Sequence, residues 1–336
     1  MRRLLVLLLM LVLITSVAFA GGRREREYPS RDITNVLVWG AGGGTDMANR
    51  LVMAEMARIL GTNINVINVT GGVSGSMGMI EGFNRPADGY TLVGISESIV
   101  TAGVQGGFRE RMDVWDYFII GGSPGVISVG ADSPFHTIED LVAAARANPG
   151  TIRAGGSAAG SIHHLNLIGF ENGTGVRFNF IPYTSSAESQ NAVLTGEVQI
   201  VCTTVQEQSE LIRAGMLRPL AVVVPNDFNF GGMIIPSAFR SFPELARHLP
   251  LEQQIGFAIR RDAPEAVKTV LRDAFKQAMQ AESVVNFGRE RYFTLRGYVG
   301  QQANDIFDVL ESRFSWMLWD LGAAQVNPAT LGIPRL

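Results

Sequence analysis

The chain has 336 residues, 46% apolar and 18% charged, with 38 glycines: a length for about two domains and a composition that excludes disordered, collagenous and coiled-coil chains. The formal charge is −3, and setting aside Arg2 and Arg3 as leader residues leaves 26 basic against 31 acidic side chains. Such a balance disfavours nucleic acid and anionic membranes as partners, since both need basic patches that release counterions.

Met1-Arg2-Arg3, an apolar run from Leu4 to Phe19 and the small-residue end Ala18-Phe19-Ala20 have the layout of a secretory signal peptide cleaved after Ala20. The run is shorter than the roughly 20 residues that span a bilayer. Cys202, the sole cysteine, lies far from the cleavage site, so neither a lipoprotein anchor nor an internal disulfide is expected. Residues 21–31 lack periodicity and read as a flexible spacer, with order beginning near Ile33. Asn35–Trp39 reads as a buried strand, and Asp46–Leu60 as a helix with Ala48, Val52, Met56 and Ile59 on one face, ended by Gly61. Further strands at Ile64–Val69 and Thr91–Ile95 make parallel βαβ units, which hold ligands in the loops after their strands.

The apolar stretch Phe118–Val129 is interrupted by Gly121-Gly122-Ser123-Pro124-Gly125, which predicts a first crossing between lobes. Thr137 reads as the cap of a helix with Ile138, Leu141, Val142 and Ala145 inward, stopped by Asn148-Pro149-Gly150. Strands follow at Phe178–Ile181, Val198–Cys202, Leu220–Val224 and Ile255–Ile259. Asp262-Ala263-Pro264 opens a helix with Val267, Val270, Leu271, Ala274 and Ala278 inward, where the chain returns to the first lobe. A last helix carries Phe307, Leu310, Phe314, Met317, Leu318 and Leu321 as core.

Three enzyme patterns fail on single residues. A dinucleotide fingerprint at Gly40–Gly44 needs glycine where Thr45 stands, and an acid where Asn68-Val69-Thr70 stands. A phosphate loop needs a lysine, and the two present, Lys268 and Lys276, lie far downstream. The match to GxSxG at 121–125 places Pro124, which has no N–H, where an oxyanion hole needs one. His136, His163, His164 and His248 form no metal motif, and the adjacent pair points about 100° apart on a helix, so neither metal nor cofactor is expected. What remains is anion binding. Gly42-Gly43-Gly44-Thr45-Asp46 and Gly155–Ser161 both run from a strand into a helix, where backbone N–H groups and the helix dipole favour an anion. Each alone is also ordinary turn chemistry; two, one per lobe, fit a cleft gripping both ends of a small anion. Asp46 opposes this if it faces the ligand, and capping its own helix would resolve the conflict.

Tyr28–Thr34, Gly42–Asp46 with Arg50, Asn68–Gly72 and Asp88–Leu92 resemble the first-lobe signatures of the solute-binding proteins of tripartite tricarboxylate transporters, the TctC or Bug family. Asn148–Gly150, Gly156–His164, Ile181-Pro182-Tyr183, Gly196-Glu197-Val198 and Ala214–Ala221 follow in the family's order, so the resemblance covers nearly the whole mature chain. It implies an α/β, two-lobed periplasmic binding protein of the type II, Venus-flytrap kind with a hinged interlobe cleft. Such a protein captures a small carboxylate and delivers it to a membrane permease. It implies ligand contacts from Gly42, Gly43, Thr45, Asp46 and Ser96 of one lobe and Ser157, Gly160, Ser161 and His164 of the other, with Tyr183 and Thr203 nearby. His164 is preferred to His163 because it stands four residues after Gly160 and directly before a leucine, as in the motif.

The chain departs from the family at Trp39-Gly40, which puts Trp39 near the cleft mouth, at Tyr183-Thr184-Ser185, which removes a common positive charge, and at Thr203-Thr204, where an acid is frequent. The expected lobes are 28–122 plus 256–336, and 123–255. The expectation is a monomeric, periplasmic receptor without catalysis. The alternatives are a secreted serine hydrolase using Ser123 or Ser157 with a histidine, or a ligand sensor for a membrane receptor.

Overall fold

Apolar runs of five or six residues, bounded by glycine and polar turns, form the strands, and helices with one apolar stripe cover them. The structure, a computed structural model, describes residues 28–336. The signal peptide expected over 1–20 and the spacer residues 21–27 lie outside the described residues. The chain begins with β1 (Ile33–Leu37), α1 (Gly44–Leu60), β2 (Ile64–Asn68), α2 (Ser76–Phe83), β3 (Thr91–Ser96) and β4 (Trp115–Gly122). It continues with β5 (Gly125–Gly130), α3 (Ile138–Ala147), β6 (Arg153–Ser157), α4 (Ile162–Thr174), β7 (Asn179–Tyr183), α5 (Ser186–Leu194), β8 (Ile200–Thr204), α6 (Val205–Arg213) and β9 (Leu217–Val222). A short hairpin, β10 (Phe228–Phe230) and β11 (Met233–Ile235), precedes β12 (Ile255–Arg260), α7 (Glu265–Ala278), α8 (Glu282–Glu290), β13 (Thr294–Val299) and α9 (Gln301–Asp320).

These strands form two principal sheets, ordered β13-β4-β12-β3-β1-β2 and β7-β6-β8-β5-β9. In the first, β2 and β3 both run parallel to β1, so the loops after β1 and β3 leave from one edge. In the second, β6 runs parallel to β7 and β8, which brings the loops after β6 and β8 to a common edge. The fold is thus α/β and two-lobed. The chain passes from one sheet to the other between Gly122 and Gly125, as the glycine-rich stretch predicted, and returns through residues 251–254 ahead of β12. The two connectors are bound together: the Ser123 N–H donates to Gln253 Oε1 at 3.0 Å, and a Cβ on Gly122 would clash with the Gln253 carbonyl oxygen.

Val52, Met53 and Met56 of α1 meet Leu271 and Phe275 of α7 over Phe118 and Phe257, whose rings stack at 4.4 Å. Each such aromatic contributes about 1.5–3 kcal/mol by leaving water. On the opposite face, Phe307 of α9 stacks on Tyr117 at 3.8 Å, in keeping with the last helix read as core. Thr137 and Asp140 form a reciprocal capping box that starts α3 where predicted.

Two expectations need correction. Tyr28 and Arg31, read as spacer, are anchored: the Tyr28 hydroxyl donates to the Gly89 carbonyl at 2.7 Å and Arg31 pairs with Asp88 at 2.8 Å, so packing begins before Ile33. And β13 escaped the sequence reading, because as a sheet-edge strand it is only partly buried, and Gly297 interrupts its apolar alternation. Among the described residues, no helix is long and apolar enough to cross a membrane.

Candidate ligand site between the lobes

The first glycine loop leaves β1 at Leu37 and enters α1 at Gly44. Gly42 takes a φ of 78°, a left-handed conformation that glycine adopts without steric penalty, and this turns its N–H onto Asp46 Oδ2 at 3.0 Å. Asp46 Oδ1 also accepts from Arg50 at 2.9 Å and from the Asn68 amide at 2.9 Å. Burial works to raise the Asp46 pKa, but these three donors outweigh it and hold the carboxyl below its usual range. Asp46 therefore closes its own loop with Gly42, Arg50 and Asn68, the resolution offered by a residue that caps its own helix start.

The second device leaves β6 at Ser157 and enters α4 at Ile162. Ser161 caps α4, its Oγ accepting the His164 N–H at 3.4 Å. Gly160 is bound on both sides: its N–H donates to His164 Nδ1 at 3.2 Å, and its carbonyl accepts from Thr101 Oγ1 of the first lobe at 2.9 Å. The His164 ring stacks on Phe180 at 4.1 Å, and burial pushes its pKa down to about 4. The two histidines thus face different ways. Their 100° separation turns His164 onto β7 and His163 inward, where Nδ1 of His163 lies 2.7 Å from Ser157 Oγ and Nε2 lies 3.1 Å from Glu207 Oε2.

Glu207 joins the two lobes. It is the third residue of α6 and completes a capping box with Thr204, accepting that residue's N–H and hydroxyl at 2.9 Å each. Its other oxygen accepts the Gly44 N–H, at the start of α1, at 3.0 Å. Burial opposes ionisation of Glu207, but His163 and the Thr204 N–H prevail and hold its carboxyl well below the usual range. At the other helix start, the Ile162 N–H donates to Ser98 Oγ at 2.8 Å, and the Ser98 hydroxyl donates to Glu97 Oε1 at 2.8 Å. Each helix N-terminus therefore meets a side chain from the opposite lobe.

Between these groups is a cavity of about 20 Å³, room for one water molecule. Of the expected residues, Trp39, Gly43, Thr45, Ser96 and Ser157 line it, and the Trp39 indole donates to Ser96 Oγ at 3.1 Å. Glu97, His163, Glu207, Ser186 and Gln253 line it too. The sequence held a usable sign for Glu207, the capping-box spacing Thr204-x-x-Glu207. Glu97 carried only its position directly after β3. Trp39 also lines a second interlobe cavity of about 380 Å³, between the Gly71–Gly75 loop and Ala158, Ala159 and Pro182–Thr184. Tyr183 belongs to this outer space, with its hydroxyl donated to Glu197 at 2.8 Å. Thr203 belongs to neither cavity: fully buried, it accepts from Gln208 Nε2 at 2.9 Å inside the second lobe. Ser123, matched to a hydrolase elbow, is a connector residue whose hydroxyl donates to the Tyr292 carbonyl and accepts the Gln206 N–H.

Burial pushes the Glu97 carboxyl up to about 7, against the lowering effect of the Gln254 N–H, the Ser98 hydroxyl and His163. The native protein binds this proton more tightly than the unfolded chain does. The stability from Glu97 is therefore fully present below 4.5 and is lost as pH rises through about 7. His164 works in the opposite sense, its contribution present above 6.5 and lost as pH falls through about 4. Calorimetric melting across this range should show Glu97→Gln gaining on the wild type as pH rises; a constant difference would contradict the raised pKa.

The family model for the tripartite tricarboxylate transporter family receptor matches residues 42–308. The chain is similar to a protein of Cupriavidus necator named UPF0065 protein in gbd 5'region, 29% identical over 282 residues, covering 80% of this chain and 81% of that one. Among solved structures, it is similar to a Rhodopseudomonas palustris protein determined with adipate, at TM-score 0.77 and 24% identity, covering 89% of this chain and 99% of that one. It is also similar to MatC of the same organism with bound malate, at TM-score 0.77 and 18% identity, covering 86% and 98%. With the family model spanning most of its length, the chain belongs to the tripartite tricarboxylate transporter receptor family, the TctC or Bug group of substrate-binding proteins.

Proposed function

We propose that this protein is a periplasmic receptor that captures a small organic acid between its two lobes and hands it to the membrane permease of a tripartite tricarboxylate-type transporter. The observation that carries this reading is a pair of cavities between the lobes, both lined by residues of both sheets' loops and both bordered by Trp39. Relatives of the same fold solved with malate and adipate support the acid class. In this reading the lobes are 28–122 with 256–336, and 123–255. They turn about the paired connectors at Ser123 and Gln253, and ligand contacts from both lobes stabilise the closed form that the permease recognises. The mature protein begins at Gly21, is a monomer and catalyses no reaction.

A hydrolase reading has one observation in its favour, the sequence of contacts Ser157–His163–Glu207. Against it, the Glu207 carboxylate is engaged by Thr204 and Gly44. The deciding experiment is a thermal-shift screen with di- and tricarboxylates, aromatic acids, acidic amino acids and neutral sugars, run with p-nitrophenyl ester turnover. A ligand at 100 times its Kd adds about 2.7 kcal/mol, a rise in Tm on the order of 5 °C. Ser157→Ala should abolish that rise. Ser161→Ala, which removes a helix cap outside the cavity, should cost about 1 kcal/mol of stability and keep the rise. Ester turnover lost on Ser157→Ala, with no acid raising Tm, would overturn the receptor reading.

A further inference from the structure

Among the described residues, no arginine or lysine lines either cavity between the glycine loops, yet three arginines converge on another space. This cavity, of about 310 Å³, lies between α9 with the chain tail on one side and Arg247-His248 on the other, and it shares no lining residue with the first two. Its walls come from different lobes. α9 packs on the first sheet through Phe307 on Tyr117, whereas the 247–249 segment packs on α4 of the second lobe, where a Cβ on Gly169 would meet Leu249 and His248. Arg335 is held in place, paired with Asp320 and set 4.7 Å over the Trp316 ring. Arg313 donates to the Pro250 carbonyl at 3.4 Å, and neither it nor the exposed Arg247 has an acid partner among the described residues. The three guanidinium groups outnumber the two carboxylates at the cavity, of Asp320 and Leu336, and like charges around one space repel until an anion enters.

Guanidinium forks match the oxygens of carboxylates and phosphates. A carboxylate presents two oxygens in one plane. A phosphate presents oxygens in four directions, so it can accept from Arg247 on one wall and from Arg313 and Arg335 on the other at once. Its second charge also answers a cluster in which Arg247 and Arg313 both lack an acid. We propose that this cavity binds a phosphate dianion, at a site distinct from the space between the glycine loops. His248 adds a ring N–H next to Arg247. Trp316 and Met317 line the same space, which leaves room beside the phosphate for the organic part of a small monoester.

The test is isothermal titration calorimetry of the mature chain at about pH 8 and constant ionic strength, with inorganic phosphate and glycerol 3-phosphate as probes and chloride as the balancing anion. Inorganic phosphate should bind with a Kd of about 1 mM or tighter, and glycerol 3-phosphate at least as tightly, since the cavity exceeds the bare ion. Arg247→Gln and Arg313→Gln should each weaken both probes tenfold or more. Lys276→Gln, which removes the same charge from the exposed face of α7, should change them less than twofold. All three side chains are exposed, so a loss confined to the two arginine variants reports the site and not misfolding. No binding of either probe up to about 10 mM, or equal weakening in Lys276→Gln, would overturn the site. Succinate held through Arg247 and Arg313 more tightly than phosphate would overturn its phosphate class. Because the cavities share no residue, either failure leaves the receptor reading standing.

Discussion

Glu207→Ala should lower the unfolding free energy by about 3 kcal/mol and Tm by roughly 5 °C, measured by calorimetry near pH 7. The loss is large because one side chain serves three purposes. It completes the capping box of α6, lies 3.1 Å from His163 Nε2 and accepts the first free N–H of α1 from the other lobe at 3.0 Å. Removing it leaves His163 buried without its acid and Gly44 without an acceptor, and breaking a buried pair by deleting one partner costs more than the pair itself contributes. Glu207→Gln, which keeps the shape and part of the hydrogen bonding, should recover about half. Because its folded pKa is depressed, the Glu207 contribution is present above 4.5 and disappears only as pH falls through about 2. A Tm for Glu207→Ala within 1 °C of the wild type would show that the interlobe bond carries no weight.

Gly44→Val should weaken ligand binding at least tenfold while leaving Tm without ligand within about 2 °C, because it targets closure and not the folding of either lobe. Gly44 begins α1, and its φ is not among the positive ones, so a side chain there is conformationally acceptable. Helix propensity even favours the change. What the new Cβ meets belongs to the other lobe: Glu207 Oε1 at 2.7 Å, Gln206 Oε1 at 2.8 Å and Glu207 Cγ at 3.0 Å. Glu207 cannot simply swing aside, since His163 and Thr204 hold it. Small-angle scattering with titrated ligand should then report a wild type that contracts and a variant that does not. Gly160 would be a poorer probe although its Cβ would also strike the opposite lobe, at Ser74 Oγ 2.5 Å away, because its φ of 79° adds backbone strain to the clash. Unchanged affinity in Gly44→Val would mean that closure at this seam is not part of binding.

The sequence by itself determined the alternation of strands and helices, the crossing at Gly121–Gly125, the capped start of α3 and the two glycine loops that open helices. All of these are local: a run of apolar residues, a turn residue or a cap reveals itself within about ten positions. It also carried enough ordered fragments to resemble the receptor family, to which the matched residues 42–308 assign it. Tertiary structure decided what the loops are bonded to. That Asp46 folds back on Gly42 depends on Arg50 and Asn68 sharing its carboxylate. That His163 and not His164 turns inward depends on which side of α4 the second sheet covers. That Glu207 ends at Gly44 and Ser98 at Ile162 depends on contacts across 163 and 64 residues of chain, between sheets that meet only when both have formed. A glycine loop before a helix offers donors wherever it occurs; only packing determines whether those donors wait for a ligand or are already held by the protein's own acids.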